Sequence, residues 1–589
     1  MRVRQEDKRT LQRLIKLFKP YKKNIIIIFI CMLSSAVVNT LVPIISKRIV
    51  DDGLIQNNFN LLIKLVALSL LLVLIDQGIG FIETRYRVLI SSIMPYELSK
   101  RAFKQTMKLK LGYFNNTNSA AIMNNINMDV GNISKIANSN LFFIVSQVFK
   151  MIGGIVGLFI IDWKLTLVVL AVLPVKYKLV KLLAKQRQKL FSEYMEANSD
   201  YSEWYGDTVA GVREVKLLGI DRLKTGEFIK KQRRLIKVDI KMNVLDKLNE
   251  LSESVLFEII TGLLYILGAY MILKANFTVG GLMAFITYSV YVTTPISAIL
   301  NIGYTFSDVI PSAKRFFEFL DTDREKELGK TFLDLPFESL KFENVSFQYS
   351  EENKVLKGIS FEIKKGEKVA VIGSNGAGKT TLINLLLRFL EPDGGRILID
   401  DIDIAHIRLR EYRQMISVVS QNAYLFNTTV RENIIPFSKN NDIKLRMIAK
   451  KSRIEDLIEE LPQKYDTFVG SNGANLSGGQ RQKIAMARAI AKESKILVLD
   501  EATSNYDIES EMEMADLIVN QLEDKTVLMV THKLPILKAL DKIVFIEDGK
   551  VAALGKHEEL YQNNKVYRDI INNFNQDFKE KSDTYSLSI

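Results

Sequence analysis

Long apolar segments separated by charged stretches make up the N-terminal half of the chain. Several of these segments reach the ~20 apolar residues that an α-helix needs to cross a bilayer. We therefore predict six membrane-spanning helices, in residues 24–46, 65–82, 141–161, 165–183, 255–273 and 279–303. This half of the chain is expected to contact the lipid bilayer directly.

Basic residues are distributed unevenly around these segments. Residues 1–23 contain nine Lys or Arg against two Asp or Glu, and the long stretches 83–140 and 184–254 are also rich in Lys and Arg. The remaining connections are short: residues 47–64, 162–164 and 274–278. Because short segments rich in Lys and Arg stay on the cytosolic side of a membrane, both termini are predicted to be cytosolic. The two long stretches favour helix, so we expect them to extend the membrane helices into the cytosol.

The N-terminal segment, residues 1–23, has its own pattern. Leu11, Leu14, Ile15 and Phe18 recur at helical spacing among basic residues. This spacing predicts an amphipathic helix at the inner membrane surface. A plain solvated helix is the alternative.

The C-terminal half alternates short β-like runs with helical runs, which is typical of an α/β domain with a largely parallel sheet. Strands are predicted in residues 340–347, 358–363, 369–372, 396–399, 416–419, 496–499, 526–530 and 542–547. This domain is expected to span residues 338–574, after a charged linker, 322–337, and before a polar tail, 575–589. The membrane domain then occupies residues 24–321.

A glycine-rich loop follows one of the predicted strands and leads into a predicted helix. Residues 373–380 read Gly-Ser-Asn-Gly-Ala-Gly-Lys-Thr. In a strand-loop-helix context this pattern predicts a phosphate cradle, since the glycines let backbone N–H groups approach a nucleotide. The predicted nucleotide contacts are Gly373, Ser374, Asn375, Gly376, Ala377, Gly378, Lys379, Thr380 and Thr381. The predicted fold class is an α-helical membrane domain with six transmembrane helices followed by an α/β P-loop NTPase domain.

Carboxylates follow the apolar run 496–499. Asp500 ends this buried-strand pattern, so its side chain is expected at the carboxyl edge of the sheet, where it joins the Thr380 hydroxyl in holding Mg2+. Glu501 is positioned to polarise the attacking water. His532 follows the run 526–530 and is predicted to donate to the γ-phosphate of ATP, whereas His406 and His557 are interpreted as structural.

Charge and cysteine content add little to this prediction. The chain has 589 residues and a formal net charge of +13. A basic cytosolic face on a membrane protein explains that charge, and the sequence contains no nucleic-acid-binding module, so no nucleic acid partner is predicted. The single cysteine, Cys31, lies in the first apolar segment and is interpreted as a packing residue.

Together these motifs resemble the nucleotide-binding domain of ATP-binding cassette (ABC) transporters, and the six spans resemble the exporter-type membrane domain fused ahead of it. The resemblance implies that Tyr349 stacks on adenine and that Gln421 binds Mg2+ and links it to the membrane domain, as part of the catalytic set with Glu501 and His532. It also implies that ATP and Mg2+ are the cofactors.

Leu476–Gln480, which reads Leu-Ser-Gly-Gly-Gln, resembles the signature loop of this family. The resemblance implies that Ser477, Gly478, Gly479 and Gln480 close over ATP held by the opposite subunit. A half-sized chain of this kind is expected to work as a homodimer, with a heterodimer as the alternative. Half-size exporters are common in prokaryotes, and no organelle-targeting presequence is visible, so a bacterial plasma membrane is the expected location.

Other parts of the resemblance are diffuse. Residues 114–130 and 209–216 resemble the coupling regions of the membrane domain. Two departures stand out: Ser471 occupies a position where a glutamate is common, and Asn505-Tyr506 replaces a common Ala-Leu in the loop after Glu501. We expect both departures to affect coupling rather than catalysis.

The substrate is constrained mainly by charges in or beside the apolar segments. Asp76, Lys150 and Glu258 either face a cavity suited to a cationic or amphipathic cargo or pair between helices. The favoured function is ATP-driven export of an amphipathic compound or peptide by alternating access. A lipid or lipid-linked-glycan flippase is the first alternative, and a non-transport ABC ATPase, such as a channel or regulator, is the second.

Overall fold

The structure is a computed structural model that describes residues 5–115, 119–136, 139–274, 277–325, 329, 337–436, 442–502 and 508–572. The chain divides into two compact units, one formed by residues 1–109 with 113–324 and the other by residues 110–112 with 325–589. Most of the predicted linker, 322–337, and all of the predicted tail, 575–589, lie outside the described residues. The domain boundaries therefore stay predictions.

The first unit is mainly helical. Its helices are α1 Gln5–Leu17, α2 Lys22–Arg48, α3 Phe59–Thr106, α4 Leu111–Asn115, α5 Ser119–Ser134, α6 Ser139–Ile161, α7 Trp163–Ala210, α8 Val212–Leu217, α9 Asp221–Leu273, α10 Val279–Thr293 and α11 Pro295–Asp321. The three longest, α3, α7 and α9, have 48, 48 and 53 residues. Each continues well past its apolar segment, and the location of these extensions in the cytosol stays a prediction.

Within the described residues, five helical stretches are long and apolar enough to cross a membrane: Lys19–Ile55, Phe59–Thr106, Phe142–Ile161, Asp221–Leu273 and Val279–Ala298. The remaining predicted span, residues 165–183, forms part of α7. Lys176, Lys178 and Lys181 make its C-terminal end more charged than the other spans. The long helices are therefore consistent with the six predicted spans.

The N-terminal helix α1 packs inside the first unit. Leu14 is 2 % exposed and belongs to a core cluster with Phe316 of α11, whereas Ile15 is 63 % exposed. The Arg13 guanidinium also contacts the Asp321 carboxylate at 2.5 Å. Residues 5–17 are thus helical, with one face held against α11 by apolar packing and an ion pair, and the location of this helix at the inner membrane surface stays a prediction.

The second unit contains two sheets in its described residues. Its strands are β1 Ser339–Ser350, β2 Asn353–Lys364, β3 Lys368–Gly373, β4 Gly394–Ile399, β5 Ile402–Asp403, β6 Ile416–Val419, β7 Ile496–Asp500, β8 Thr526–Val530, β9 Lys542–Glu547 and β10 Lys550–Gly555. The six-stranded sheet has the order β10-β9-β3-β8-β7-β6, and all neighbours except β10 and β9 are parallel. The predicted parallel sheet is therefore correct.

The second sheet, with the order β2-β1-β4-β5, is antiparallel, and the alternating runs did not predict it. Helices of this unit are α12 Lys379–Leu386, α13 Leu409–Gln414, α14 Val430–Ile434, α15 Asp442–Lys451, α16 Glu455–Glu460, α17 Gly478–Ala491, α18 Ile508–Asp516, α19 Leu534–Ala539 and α20 His557–Asn563. Strands β3 and β8 are buried at every residue, which explains their continuous apolar composition. Both faces of these two strands are covered, so a ligand can reach them at their ends.

Candidate nucleotide site

The glycine-rich loop connects β3 to α12. Gly376 and Gly378 have φ angles of 84° and 97°, in the left-handed region that favours glycine. A Cβ atom at Gly378 would also lie 2.5 Å from Leu356 Cδ2, whereas the space beside Gly376 is open. Because α12 begins immediately after Gly378, its first N–H groups and its dipole favour an anion at this loop.

Lys379 is buried under the loop that it follows. Its ammonium group donates to the carbonyl oxygens of Gly373 at 2.8 Å and Ser374 at 2.9 Å. Burial lowers the pKa of Lys379, and the negative charges of Glu501 and Asp500 partly oppose that effect. A positive charge thus lies between the glycine loop and the two carboxylates.

Asp500 and Glu501 stand where β7 ends. Burial raises the pKa of the Asp500 carboxyl, the neighbouring Glu501 raises it further, and Lys379 opposes both effects. Glu501 has a φ angle of 48°, an uncommon conformation for a residue with a side chain. Its backbone N–H donates to the Val530 carbonyl oxygen at 3.0 Å. The chain therefore turns sharply at Glu501 and leaves the sheet edge.

Gln421 reaches this edge from the neighbouring strand β6. Its Nε2 atom donates to Glu501 Oε2 at 2.6 Å. This leaves the Gln421 side-chain oxygen available as a ligand. Oxygen donors of the kind offered by Gln421, Asp500 and the exposed Thr380 hydroxyl are those that Mg2+ prefers, so the donor set fits the ion.

His532 follows β8, the strand between β3 and β7. Burial lowers its pKa to about 4, and the positive charge of Lys379 contributes to the shift. The ring is therefore neutral at pH 7. The electrostatic effect of Lys379 on both His532 and Asp500 places these predicted residues at one edge of the sheet.

Tyr349 lies at the far end of β1 and is 58 % exposed. Its ring packs edge-on against Phe347, with ring centroids 5.0 Å apart, and its hydroxyl lies 3.4 Å from Thr381 Oγ1. Ser374 and Asn375 are exposed in the loop, whereas Ala377 and Thr381 are buried. An aromatic ring close to the helix that follows the glycine loop is available for stacking.

The signature segment forms the start of α17. Ser477 caps this helix: its Oγ accepts from the Gln480 backbone N–H at 3.2 Å, and the Gln480 side chain accepts from the Ser477 N–H at 2.9 Å. In the part of the chain that the structure describes, the side-chain hydrogen bonds of Ser477 and Gln480 are made with each other and not with the glycine loop. Gly478 and Gly479 form the first turn between them.

Two residues that the sequence did not single out, the buried Gln482 and the half-buried Arg488, hold the Gln421 segment. Gln482 is 1 % exposed and donates to the Gln421 carbonyl oxygen at 3.3 Å. Arg488 donates to the Tyr424 carbonyl oxygen at 2.8 Å and to the Asn433 side chain at 2.7 Å, and burial lowers its pKa. The sequence signal that could have revealed them is that both are polar residues close to the buried apolar positions Ile484, Met486 and Ala489 of α17.

Of the two family departures, only Ser471 is described. It lies in a short turn, Ser471–Gly473, directly after Gly470, whose φ angle is 77°. The Asn505-Tyr506 departure falls in residues 503–507, outside the described residues. The predictions about coupling at both positions stay open.

In the first unit, the carboxylate of Asp76 accepts hydrogen bonds from α2. Ser35 Oγ donates to Asp76 Oδ1 at 2.5 Å, and Asn39 Nδ2 donates to both carboxylate oxygens at 3.3 Å. Lys150 makes no ion pair with any described residue, and Glu258 is exposed. Asp76 thus joins α2 to α3 through neutral partners and not through the lysine considered from the sequence.

One edge of the parallel sheet carries a glycine loop, two carboxylates, a glutamine and a neutral histidine, and the same chain has a helical unit with several candidate membrane spans. This combination indicates a membrane-bound ATPase. The chain belongs to the ABC transporter family. The family pattern described as "ABC transporter" matches residues 356–504, and the "ABC transporter transmembrane region" matches residues 25–296.

Curated relatives match over nearly the whole chain. An ATP-dependent lipid A-core flippase of Albidiferax ferrireducens is 30 % identical and covers 95 % of this chain and 97 % of its own length. One of the same name from Wigglesworthia glossinidia brevipalpis is 29 % identical with coverages of 95 % and 97 %. The solved structure of a bacterial Atm1-family ABC exporter with ATP bound has a TM-score of 0.80 at 23 % identity and covers 93 % of this chain and 98 % of that one. The chain is thus a multi-pass membrane protein that binds ATP and couples its hydrolysis to transport.

Proposed function

We propose that two copies of this chain enclose two Mg2+-ATP molecules and use their hydrolysis to export an amphipathic compound or peptide. The observation that carries this proposal is the hydrogen bond from Gln421 to Glu501 beside the glycine loop and Lys379. It joins a candidate catalytic carboxylate to a segment that Gln482 and Arg488 hold in place. Such an arrangement suits an ATPase whose turnover responds to the rest of the protein.

In the proposed binding mode, backbone N–H groups of the loop from Gly373 to Gly378 surround the phosphates, and the Lys379 ammonium exchanges its two carbonyl partners for phosphate oxygens. Thr381 stays buried behind the loop while Thr380 faces outward. Tyr349 offers its exposed ring to the adenine. Thr380, Gln421 and Asp500 would hold Mg2+, which supplies charge neutralisation on the β- and γ-phosphates.

Glu501 acts on the attacking water in this proposal. The Gln421 amide fixes one of its carboxylate oxygens at 2.6 Å, so the other oxygen is free to accept a proton. His532 is neutral because its pKa is lowered to about 4, and a neutral ring can donate one N–H to a phosphate oxygen. Positioning and charge stabilisation of this kind supply most of the catalysis in phosphoryl transfer.

The signature segment supports the proposal of a dimer. Ser477 and Gln480 form reciprocal hydrogen bonds at the start of α17. This helix has 14 residues, and its N-terminus favours an anion. We propose that the anion is the γ-phosphate of ATP on a second copy of the chain. A heterodimer with a similar chain is the alternative arrangement.

For the substrate, the specific observation in favour of lipid flipping is that both curated relatives carry the name lipid A-core flippase. We therefore retain a lipid or lipid-linked glycan as the second candidate cargo. A non-transport role is disfavoured by the complete catalytic set around Glu501. The bacterial origin of the relatives supports a bacterial plasma membrane as the location.

Reconstitution into liposomes tests the proposal. We expect Mg2+-dependent phosphate release from a dimer, with stimulation by the transported class when lipids, cationic amphiphiles and peptides are supplied in turn. Movement of the stimulating class across the bilayer identifies the cargo. A polypeptide that stays monomeric in lipid and releases no phosphate in the presence of Mg2+ would contradict the proposal.

A further inference from the structure

A carboxylate occupies a core position in α18. The Glu511 side chain is only 1 % exposed. It lies on the same helical face as Met514 and Ile518, which pack in one apolar cluster with Ile536 and Leu537 of α19. An apolar residue is the expected occupant of such a position, because burying a charge is costly unless it is paired.

The partner of this carboxylate is Lys533. Its ammonium group contacts Glu511 Oε1, and its side chain is 25 % exposed. Lys533 directly follows His532 and immediately precedes α19, which begins at Leu534. The pair therefore joins the buried face of α18 to the short segment that carries the neutral histidine of the nucleotide site.

Both ends of this contact belong to segments that adjoin the site. On one side, Val530 accepts the Glu501 N–H at 3.0 Å, and the Lys533 N–H donates to Thr531 Oγ1 at 3.2 Å, so residues 530–533 are tied to the catalytic edge. On the other side, α18 begins at Ile508, seven residues after Glu501 in the sequence. One ion pair thus connects α18 to the segment that carries His532.

A contribution to the folding stability of the protein does not explain why an ion pair occupies this position. Replacing a buried ion pair with apolar side chains of similar size is often neutral or stabilising, since the desolvation cost exceeds the electrostatic gain. A directional contact does, however, specify one arrangement of the two segments where apolar packing tolerates several.

We propose that Glu511 and Lys533 are positioning residues for ATP hydrolysis, which hold His532 at the distance from Glu501 that turnover requires. This inference rests on the proposed nucleotide site and adds two residues that do not touch the nucleotide. Neither residue belongs to the sets that bind phosphate, Mg2+ or water in the proposed function.

The test is steady-state ATP hydrolysis by the full-length protein in lipid nanodiscs. Replacement of the pair by leucines, Glu511→Leu with Lys533→Leu, is expected to keep or raise the thermal unfolding midpoint. The same double variant should lower kcat by about tenfold, because small misplacements of catalytic groups slow reactions strongly. The KM for ATP should change by less than about twofold, since the phosphate contacts of the glycine loop and Lys379 are intact.

Two single variants complete the design. Lys533→Arg keeps the charge and should retain kcat within about twofold. Lys538→Met removes an exposed lysine at the other end of α19 and serves as the matched control. Wild-type kcat in the leucine double variant, or a loss in Lys533→Arg equal to that in the leucine double variant, overturns the inference. Absence of Mg2+-dependent hydrolysis in the wild type would instead overturn the proposed function, so the two failures are distinguishable.

Discussion

The nucleotide-binding unit keeps large apolar side chains in its interior, whereas the helical unit exposes many of them on its surface. In the nucleotide-binding unit, every residue of β3 and β8 is buried between layers of helix and sheet. In the helical unit, Phe81 is 73 % exposed and Leu273 is 88 % exposed, and both lie within candidate membrane spans. Such surfaces suit a hydrocarbon solvent, because apolar side chains lose nothing when they face acyl chains.

Polar groups differ between the units in a corresponding way. The nucleotide site concentrates Lys379, Asp500, Glu501 and His532 at one sheet edge, where burial and then neighbouring charges shift the pKa values of Lys379, Asp500 and His532. In the helical unit, the Asp76 carboxylate is bonded to neutral side chains of one neighbouring helix. The contrast indicates that phosphoryl transfer demands fixed atoms, whereas crossing a membrane demands mainly length and apolar character.

The largest expected effect tests the chemistry of the first of these regions. Glu501→Gln keeps the shape of the side chain and removes its ability to accept a proton, so we expect kcat for ATP hydrolysis to fall by about a hundredfold or more. Nucleotide binding should persist, because the glycine loop and Lys379 are unchanged. Phosphate release and ATP affinity measured in nanodiscs separate the two effects.

Glu558→Gln is the matched control, since Glu558 is exposed and lies in α20, outside the described nucleotide site. It should hydrolyse ATP at the wild-type rate. A Glu501→Gln protein with unchanged turnover, and with no accumulation of a nucleotide-bound dimer, would show that the catalytic carboxylate lies elsewhere.

A pair of glycine substitutions tests how tightly the phosphate loop is packed. Gly378→Ala combines a left-handed φ of 97° with a contact of 2.5 Å to Leu356 Cδ2, whereas Gly376→Ala has the unfavourable φ of 84° but open space. Strain alone costs about 1 kcal/mol and overpacking about 1–3 kcal/mol more. ATP affinity and the thermal midpoint should therefore fall further in Gly378→Ala. Equal losses in the two variants would mean that the loop relaxes around the added methyl group.

The parts of this site that the sequence predicted are those whose requirements are local. The loop from Gly373 to Thr380 combines glycines at positive φ angles with the start of a helix. Both requirements restrict the residue types at consecutive positions, so the sequence shows them directly. The contact of Gln421 with Glu501 depends on β6 and β7 being neighbours, and sequence spacing does not encode that pairing. Only the family resemblance pointed to Gln421.

Residues that act through tertiary packing were missed. Glu511 reads as an ordinary surface glutamate until α18 is placed against α19, and Lys533 reads as a surface lysine. In the helical unit, hydropathy predicted the spans but not which neutral side chains meet Asp76, because helix rotation and neighbours are set by packing. Long-range side-chain pairs are therefore the part of the fold that periodicity does not determine.

The pH dependence of stability tests the electrostatics of the sheet edge. The pKa of His532 is lowered to about 4, below its ordinary value of ~6.5, so the unfolded chain takes up a proton first as the pH falls. Folded-state stability should therefore be lost between pH 6.5 and 4, by about 2 kcal/mol at pH 5 from this residue. Thermal midpoints of the nucleotide-free protein at pH 7.5 and 5.0 measure the loss.

His532→Gln removes the titrating ring and should lose less stability over the same interval than the wild type. His406→Gln, which alters an exposed histidine of the same unit, should behave as the wild type does. An identical pH response in wild type and His532→Gln would mean that the ring is protonated as easily in the folded protein as in the unfolded one.

The smallest expected effect lies in the helical unit and decides whether Asp76 serves packing or cargo. Interhelical hydrogen bonds in membranes contribute about 0.6 kcal/mol on average, so a double-mutant cycle of Asp76→Asn and Ser35→Ala should give a coupling energy near that value. Basal ATP hydrolysis should not change, because the site at Glu501 is untouched. Zero coupling together with a loss of stimulation by cationic amphiphiles would assign the carboxylate to the cargo path. The polar chemistry of the helical unit would then be as demanding as that of the nucleotide site, and the contrast between the two units would be confined to their surfaces.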